Sequence, residues 1–241
     1  MAYRRTPKIE TQLTETRDQI VQSAIRLIAA HGYKATSMDA IATGAGVSTG
    51  LLYRHFSSKS AIFDEVFQRI STREIAACRV AASAGTTSRD RLARVLDTFS
   101  RRAFRERRLA WAVLIEPVDA GLDTVRLRFR TPYRDIFASL LREAVATGEI
   151  PPLAVDFVAS AIVGAVVESL AGPLSTVTDQ DEEDQVVAAL TRFCLQAAGY
   201  CDEASQGEAW KPCAEGSSRI KHRILNTRSG GSVLDPKVST H

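Results

Sequence analysis

The run Val47-Ser48-Thr49-Gly50-Leu51-Leu52-Tyr53-Arg54-His55-Phe56-Ser57-Ser58-Lys59-Ser60-Ala61-Ile62 decides the reading of the whole 241-residue chain. It follows a short apolar helix signal over Thr36–Ala42 and a Gly44-Ala45-Gly46 break. Short helix, tight turn and second short helix make a helix-turn-helix, the unit that lays its second helix in the DNA major groove. Thr36 or Ser37 can cap the first of these helices, and Asp39 suits its positive N-terminal end. Met38, Ile41 and Ala42, at i, i+3 and i+4, form its buried face. Gly44 and Gly46 are read as supplying the backbone freedom of the turn. Ser48 caps the second helix, which Val47, Leu52 and Phe56 hold onto the others.

Ser48, Thr49, Gly50, Leu51, Tyr53, Arg54 and His55 are left facing outward. The set is small and polar at its N-terminal end, where a recognition helix approaches base edges. His55 reads as a phosphate contact. Tyr53 either packs within the unit or reaches a phosphate through its hydroxyl. Ser57 or Ser58 opens the next helix. Lys59 in its first turn opposes the helix dipole unless an anion shares the site, so it reads as part of a phosphate cradle.

Working outward, the pattern is helical throughout. A first helix is expected over about 14–31, with Ile20, Ala24, Leu27 and Ile28 on one face, His31 at its end and Gly32 as its stop. The fourth helix starts near Ser58 and runs past Cys78. A fifth carries Leu92, Val95, Leu96, Phe99 and Ala103, and a short sixth spans 109–115 before Glu116-Pro117. A seventh covers about 124–147, an eighth runs from Pro151-Pro152 to Gly172-Pro173, and a ninth from the acidic stretch at 179–184 to Gly199. Val125–Arg130 alternates like a strand but has no partner strand, so it is read as helix. Val155–Val167 is almost continuously apolar, yet shorter than the ~20 residues that cross a bilayer. It reads as a core helix, with Ala159, Gly164, Ala165 and Ala171 small enough for close approach by a second subunit.

Net charge is +3, and the excess is unevenly placed. Residues 1–60 carry eight Arg and Lys, including Arg4 and Arg5, against four Asp and Glu, a local +4 that leaves the remainder near −1. The basic excess lies on the proposed DNA-binding end. Cysteines 78, 194, 201 and 213 are far apart, so no zinc site or disulfide framework is indicated. The N-terminus lacks an apolar stretch, so no signal peptide is expected and the chain reads as cytoplasmic. No spacing gives a convergent catalytic set; a helical enzyme or ligand carrier is the reading from another class. Residues 200–241, with His222 and His241, read as a disordered tail.

The stretch closely resembles the TetR family of one-component repressors. The family's opening signature appears as Gly32-Tyr33-Lys34-Ala35-Thr36-Ser37, its closing one as Val47 through Lys59, and together they lie within about a quarter of the chain. Leu51 departs from the family, which more often has Thr or Ala there; an apolar side chain suits a thymine methyl. The resemblance implies an all-α homodimer with a three-helix helix-turn-helix domain (1–57) and a larger effector-binding and dimerisation domain (58–199). It implies a repressor that binds a palindromic operator on double-stranded DNA and is released by a small molecule. DNA contacts fall on Thr36, Ser37, Ser48, Thr49, Gly50, Leu51, Tyr53, Arg54, His55 and Lys59. Dimerisation falls on the eighth and ninth expected helices, and no cofactor or metal is expected.

For the effector, Phe104, Trp111, Tyr133, Phe137 and Phe157 are candidate apolar walls, and Arg126, Arg130 and Glu168 candidate polar groups. Arg126, Arg130 and Arg134 form one helical stripe, so an inward arginine would select an amphipathic anion such as a carboxylate or acyl thioester. The plainer alternative pairs them with surface acids or Glu168. Arg101, Arg102, Arg105, Arg107 and Arg108 read as a solvated helix end. A DNA-binding regulator without any small-molecule effector is the remaining alternative.

Overall fold

A computed structural model describes residues 7–118 and 120–200, and these are helical with no strand among them. The elements are α1 (Pro7–His31), α2 (Met38–Ala45), α3 (Thr49–His55), α4 (Lys59–Ser83), α5 (Ser88–Arg105), α6 (Arg107–Leu114), α7 (Ala120–Arg128), α8 (Arg130–Thr147), α9 (Val155–Ala171), α10 (Pro173–Thr176) and α11 (Gln180–Ala197). The expected tail, including Cys201, Cys213, His222 and His241, lies outside the described residues, as do Arg4 and Arg5.

Polar caps set most of the boundaries. Ser37, Ser48, Ser58, Thr87 and Asp179 each accept a backbone N–H from the first turn of the following helix. Each such cap is worth about 1 kcal/mol. Ser37, rather than Thr36, caps α2. The first helix begins at Pro7 rather than near Thr14, because Thr14 turns its hydroxyl back to the Glu10 carbonyl (3.0 Å) as an interior residue. The helix expected over 124–147 is two helices. Pro132 has no N–H to give the Arg128 carbonyl, so the chain breaks at Phe129 and Pro132 falls in the first turn of α8, where it is tolerated. The alternating Val125–Arg130 stretch is helical on both sides of that break.

The helices close around two apolar clusters. The first holds Ile20, Ile28, Ile41, Leu52 and Phe63, and is completed by Leu109, Ala112 and Val113 of α6. The second holds Leu92, Leu96, Leu141, Ile162, Leu170 and Leu190. α4 runs through both, giving Ile62 to Ile70 to the first and Ile75 and Cys78 to the second. Val155–Thr176 makes 22 residues long and apolar enough to cross a bilayer by length and composition. Its Ala159, Ile162, Val163, Val166 and Leu170 instead sit in the second core.

The two turn glycines do different jobs. Gly46 (φ +68) is the left-handed cap of α2, and its N–H returns to the Thr43 carbonyl at 3.1 Å. Gly44 lies inside α2 with no positive φ, which corrects the expectation that it serves the turn. A Cβ there would stand 2.5 Å from Ser23 Oγ, so glycine allows α2 to lie directly on α1. Gly44→Ala is expected to cost about 1–3 kcal/mol, the usual penalty of overpacking. Adding Ser23→Ala is expected to return part of it, since Ser23 Cβ would lie at 3.7 Å. Thermal melts of the two variants check this; a double variant no more stable than Gly44→Ala sinks the account.

Candidate functional site: an exposed short helix and an apolar cavity

The exposed end of the helices around the first cluster is built on α3. Leu52 and Phe56 are buried beneath it, while Ser48, Thr49, Gly50, Tyr53 and Arg54 are exposed and Leu51 and His55 half-buried. The Thr49 hydroxyl donates to Asp39 Oδ1 at 3.0 Å, tying the N-terminus of α3 to that of α2. A side chain at Gly50 would meet nothing within 4 Å, so the backbone there is open to close approach. Tyr53 is 51% exposed. Ser37 is also exposed. Thr36 is not: it is buried, its hydroxyl donates to the Gly32 carbonyl at 2.8 Å, and it braces the turn rather than facing outward. Lys59 Nζ lies 4.2 Å over the Tyr33 ring and donates to the Lys34 carbonyl at 3.3 Å, which holds it beside the start of α2.

Arg17, which drew no attention in the sequence, fixes the other end of α3. Its guanidinium donates to the His55 carbonyl at 3.1 Å, stacks 4.0 Å over Phe56 and pairs with Glu65 of α4. A cation on the last carbonyls of a helix also complements its dipole. Burial works against the Glu65 carboxylate, but hydrogen bonds from Arg69 and Arg17 outweigh it and hold its pKa below the ordinary value.

The second feature is a cavity enclosed by α4 to α9. Phe67, Phe99, Tyr133, Phe137, Val163 and Val166 form much of its apolar wall. Arg126 and Arg130 line it. Phe104 and Trp111 do not: both pack in the second core, Phe104 beneath the Arg107 guanidinium. Phe157 is 75% exposed and Glu168 is exposed, so neither lines the cavity. The face of α9 that carries them points away from the subunit's own core.

Three charged residues that the sequence reading passed over, Arg73, Glu74 and Glu106, line it, and so does Arg102, which corrects its reading as part of a solvated helix end. Arg102 pairs with Glu74 (Nη2 to Oε1, 3.0 Å), Arg73 with Glu74 (2.8 Å), and Arg73 with Glu106 (2.9 Å). Burial opposes ionisation of Glu74, yet the Arg102 and Arg73 hydrogen bonds prevail and its pKa is lowered. A signal existed: Phe67, Ile70, Glu74 and Cys78 follow one inward stripe of α4. Counted at the wall, Arg73, Arg102, Arg126 and Arg130 face Glu74 and Glu106, a net +2. Burial pushes the Cys78 thiol up to about 12 and raises Tyr133 as well, so both are neutral at physiological pH. Among the described residues no group of three His, Cys, Asp or Glu is placed to hold a metal ion.

The two arginines are used differently. Arg126 donates from Nε to the Val113 carbonyl and from Nη2 to the Glu116 carbonyl, both at 2.8 Å, and pairs with Asp123 at 3.0 Å. Burial lowers its pKa, with Asp123 opposing and the like charge of Arg130 adding to the shift. Arg130 has no hydrogen-bond or ion-pair partner among the described residues. Arg134 pairs with neighbouring Asp135 and stays outside the cavity. The arginine run at 101–108 is not merely solvated. Arg101 reaches Asp97 and Asp184, Arg107 pairs with Glu183, and Arg108 donates to the His31 carbonyl at 3.0 Å.

Comparison with known proteins bears on the helix-turn-helix and on the fold. A family model described as bacterial regulatory proteins, tetR family, matches residues 20–66. The HTH-type transcriptional activator FasR of Mycolicibacterium smegmatis is 38% identical over 85 residues, which cover 35% of this chain and 39% of FasR. The chain thus spans well under two thirds of that relative's length. Among solved structures, the fatty acid degradation regulator FadR from Bacillus halodurans aligns with a TM-score of 0.66 at 22% identity, covering 80% of this chain and 96% of that one. FadR from Bacillus subtilis, solved in complex with stearoyl-CoA, aligns with a TM-score of 0.62 at 23% identity over 75% of this chain and 96% of that one. Identities this low speak to the shared fold.

Proposed function

We propose, for a chain that belongs to the TetR family of bacterial regulatory proteins, a ligand-released repressor that binds a palindromic operator as a homodimer. The observation that carries the DNA half is the exposed, capped α3, with small residues at its leading end and Tyr53, Arg54 and His55 behind them. Such a helix can enter the major groove, and two of them would read half-sites centred about one helical turn (~34 Å) or a multiple apart. Among the residues assigned to DNA from the sequence, Thr36 is withdrawn and Ser37 to Lys59 remain.

The dimer is assigned to α9 and α11. Phe157, Ala161, Gly164 and Glu168 form an exposed stripe on α9, and Ala189, Phe193 and Ala197 one on α11. Phe157 (75% exposed) and Phe193 (57%) are large apolar side chains left uncovered within the subunit. Two copies of these faces related by a twofold axis would make a four-helix bundle.

The effector is assigned to the cavity. Its apolar wall and net +2 suit an amphipathic anion, with Arg130 free to meet the charged group and Phe99, Tyr133 and Phe137 to take the apolar part. Stearoyl-CoA, bound by the Bacillus subtilis FadR, has that chemistry. Binding would change how α4 sets the two reading heads, a coupling of about 1–3 kcal/mol.

Selection of DNA fragments from a genomic pool by the purified protein, with and without stearoyl-CoA, tests the whole reading. His55→Ala and Lys59→Ala are expected to weaken binding to all selected fragments and to lower its salt dependence. Thr49→Ala and Leu51→Ala are expected to change the preferred half-site instead, by about 1–3 kcal/mol per affected base pair. Four variants with wild-type affinity, salt slope and preference would remove α3 from the interface.

A further inference from the structure

The segment that ends α6 turns back onto the helix-turn-helix. Glu116 is only 4% exposed, and both its oxygens accept backbone hydrogen bonds. Tyr33 N–H donates to Oε2 at 2.8 Å and Lys34 N–H to Oε1 at 3.1 Å. Gly32, at φ +84, opens the concavity, where a Cβ would stand 3.2 Å from Oε2. Successive amides after a left-handed residue make an anion cradle, here filled by the chain's own carboxylate. From the start of α6, Arg108 donates to the His31 carbonyl at the end of α1. α6 and the two residues after it therefore grip both polarities of the turn between α1 and α2, with Arg108 on the carbonyl and Glu116 on the amides. The same helix end is held from the cavity side by Arg126, through the Val113 and Glu116 carbonyls.

We infer that Glu116 is the positioning residue that fixes the helix-turn-helix to the ligand-binding body, and that Arg126 makes this hold respond to the cavity. A buried carboxylate that lost both amides would be left unsatisfied, as would the amides, so the 32–34 turn and Glu116 move as one. The Glu116 carbonyl to which Arg126 donates is a neutral acceptor. An anion arriving beside Arg130 offers a charged acceptor, and charge-assisted bonds are the stronger. Drawing Arg126 toward that anion frees the end of α6, and with it the grip on the turn. This last step rests on the anionic-effector reading above; the grip itself does not.

Amide hydrogen exchange on the full-length protein decides both parts. In Glu116→Ala the Tyr33 and Lys34 amides are expected to exchange at least about tenfold faster, while Leu140 and Leu141 in α8 keep their protection. Glu116→Gln keeps one acceptor oxygen and is expected to restore part of that protection, which guards against a variant that merely unfolds. Arg126→Gln touches neither amide, yet is expected to expose both and to weaken binding to DNA selected by the wild type. Stearoyl-CoA added to the wild type is expected to do the same. Unchanged Tyr33 and Lys34 exchange in both Glu116 variants overturns the positioning role. Loss of protection in Glu116→Ala but not in Arg126→Gln overturns the link to the cavity. If stearoyl-CoA fails to bind the wild type, that ligand assignment falls, and the variants alone still decide the grip and its tie to Arg126.

Discussion

Gly164→Arg is expected to give a folded monomer that no longer holds its operator. Gly164 is exposed on α9, and a Cβ there meets nothing within 4 Å, so the subunit itself tolerates a side chain. In the proposed four-helix bundle the same position faces the second subunit, where an arginine would bring an unpaired charge into an apolar contact. A monomer binds one half-site at a time. Losing the second contact removes the avidity of a linked pair, about 10²–10⁴ in affinity. Sedimentation velocity gives the assembly state, circular dichroism the fold and a titration of selected DNA the affinity. A wild-type monomer, or a Gly164→Arg protein that stays dimeric, would place the interface elsewhere.

Arg130→Gln is expected to abolish release from DNA by acyl thioesters and carboxylates while barely moving the melting temperature. Its guanidinium supports nothing else among the described residues, so its removal leaves no orphaned partner. A hydrogen bond to a charged group is worth about 1.5–3 kcal/mol, or roughly ten- to a hundredfold in ligand affinity. Arg126→Gln makes the contrast. It strands the carbonyls of Val113 and Glu116 and is expected to lower the melting temperature with no ligand present. Release of the Arg130→Gln protein at wild-type concentrations of stearoyl-CoA would be the decisive contrary result.

The residues that act locally were legible. Ser48 and Ser58 cap the helices they announce, Gly46 takes the left-handed turn, and Leu52 and Phe56 anchor α3. Each depends on neighbours a few positions away, so spacing alone carries the information. The cavity was half legible for a related reason. Arg130, Tyr133 and Phe137 follow one inward stripe of α8, which spacing alone marks, and Arg126 reaches the same wall from α7. Phe157 and Glu168 went astray because α9 is apolar on two sides, and periodicity cannot say which side meets the subunit's own core. Arg73, Glu74, Arg102 and Glu106 look like surface residues one at a time. Only the approach of α5 to α4 makes them a linked set at a cavity wall. Glu116 is the extreme case: as the residue before a proline it reads as a helix stop, and its partners lie more than eighty positions away.

The completion of the first core by α6 has a consequence for how the chain is made. Leu109, Ala112 and Val113 seal a cluster whose other buried members all come from residues 20–70. A ribosome adding about 5–20 residues per second exposes the N-terminal helices for several seconds before those three side chains are synthesised. During that interval α1 to α4 have an open apolar side and the Tyr33 and Lys34 amides have no carboxylate to meet. The half-made reading head is therefore a customer for holding factors, and a nascent chain stalled near residue 70 would be stickier than one stalled past Glu116. Swapping this helix-turn-helix onto another protein would carry the same debt unless α6 travelled with it.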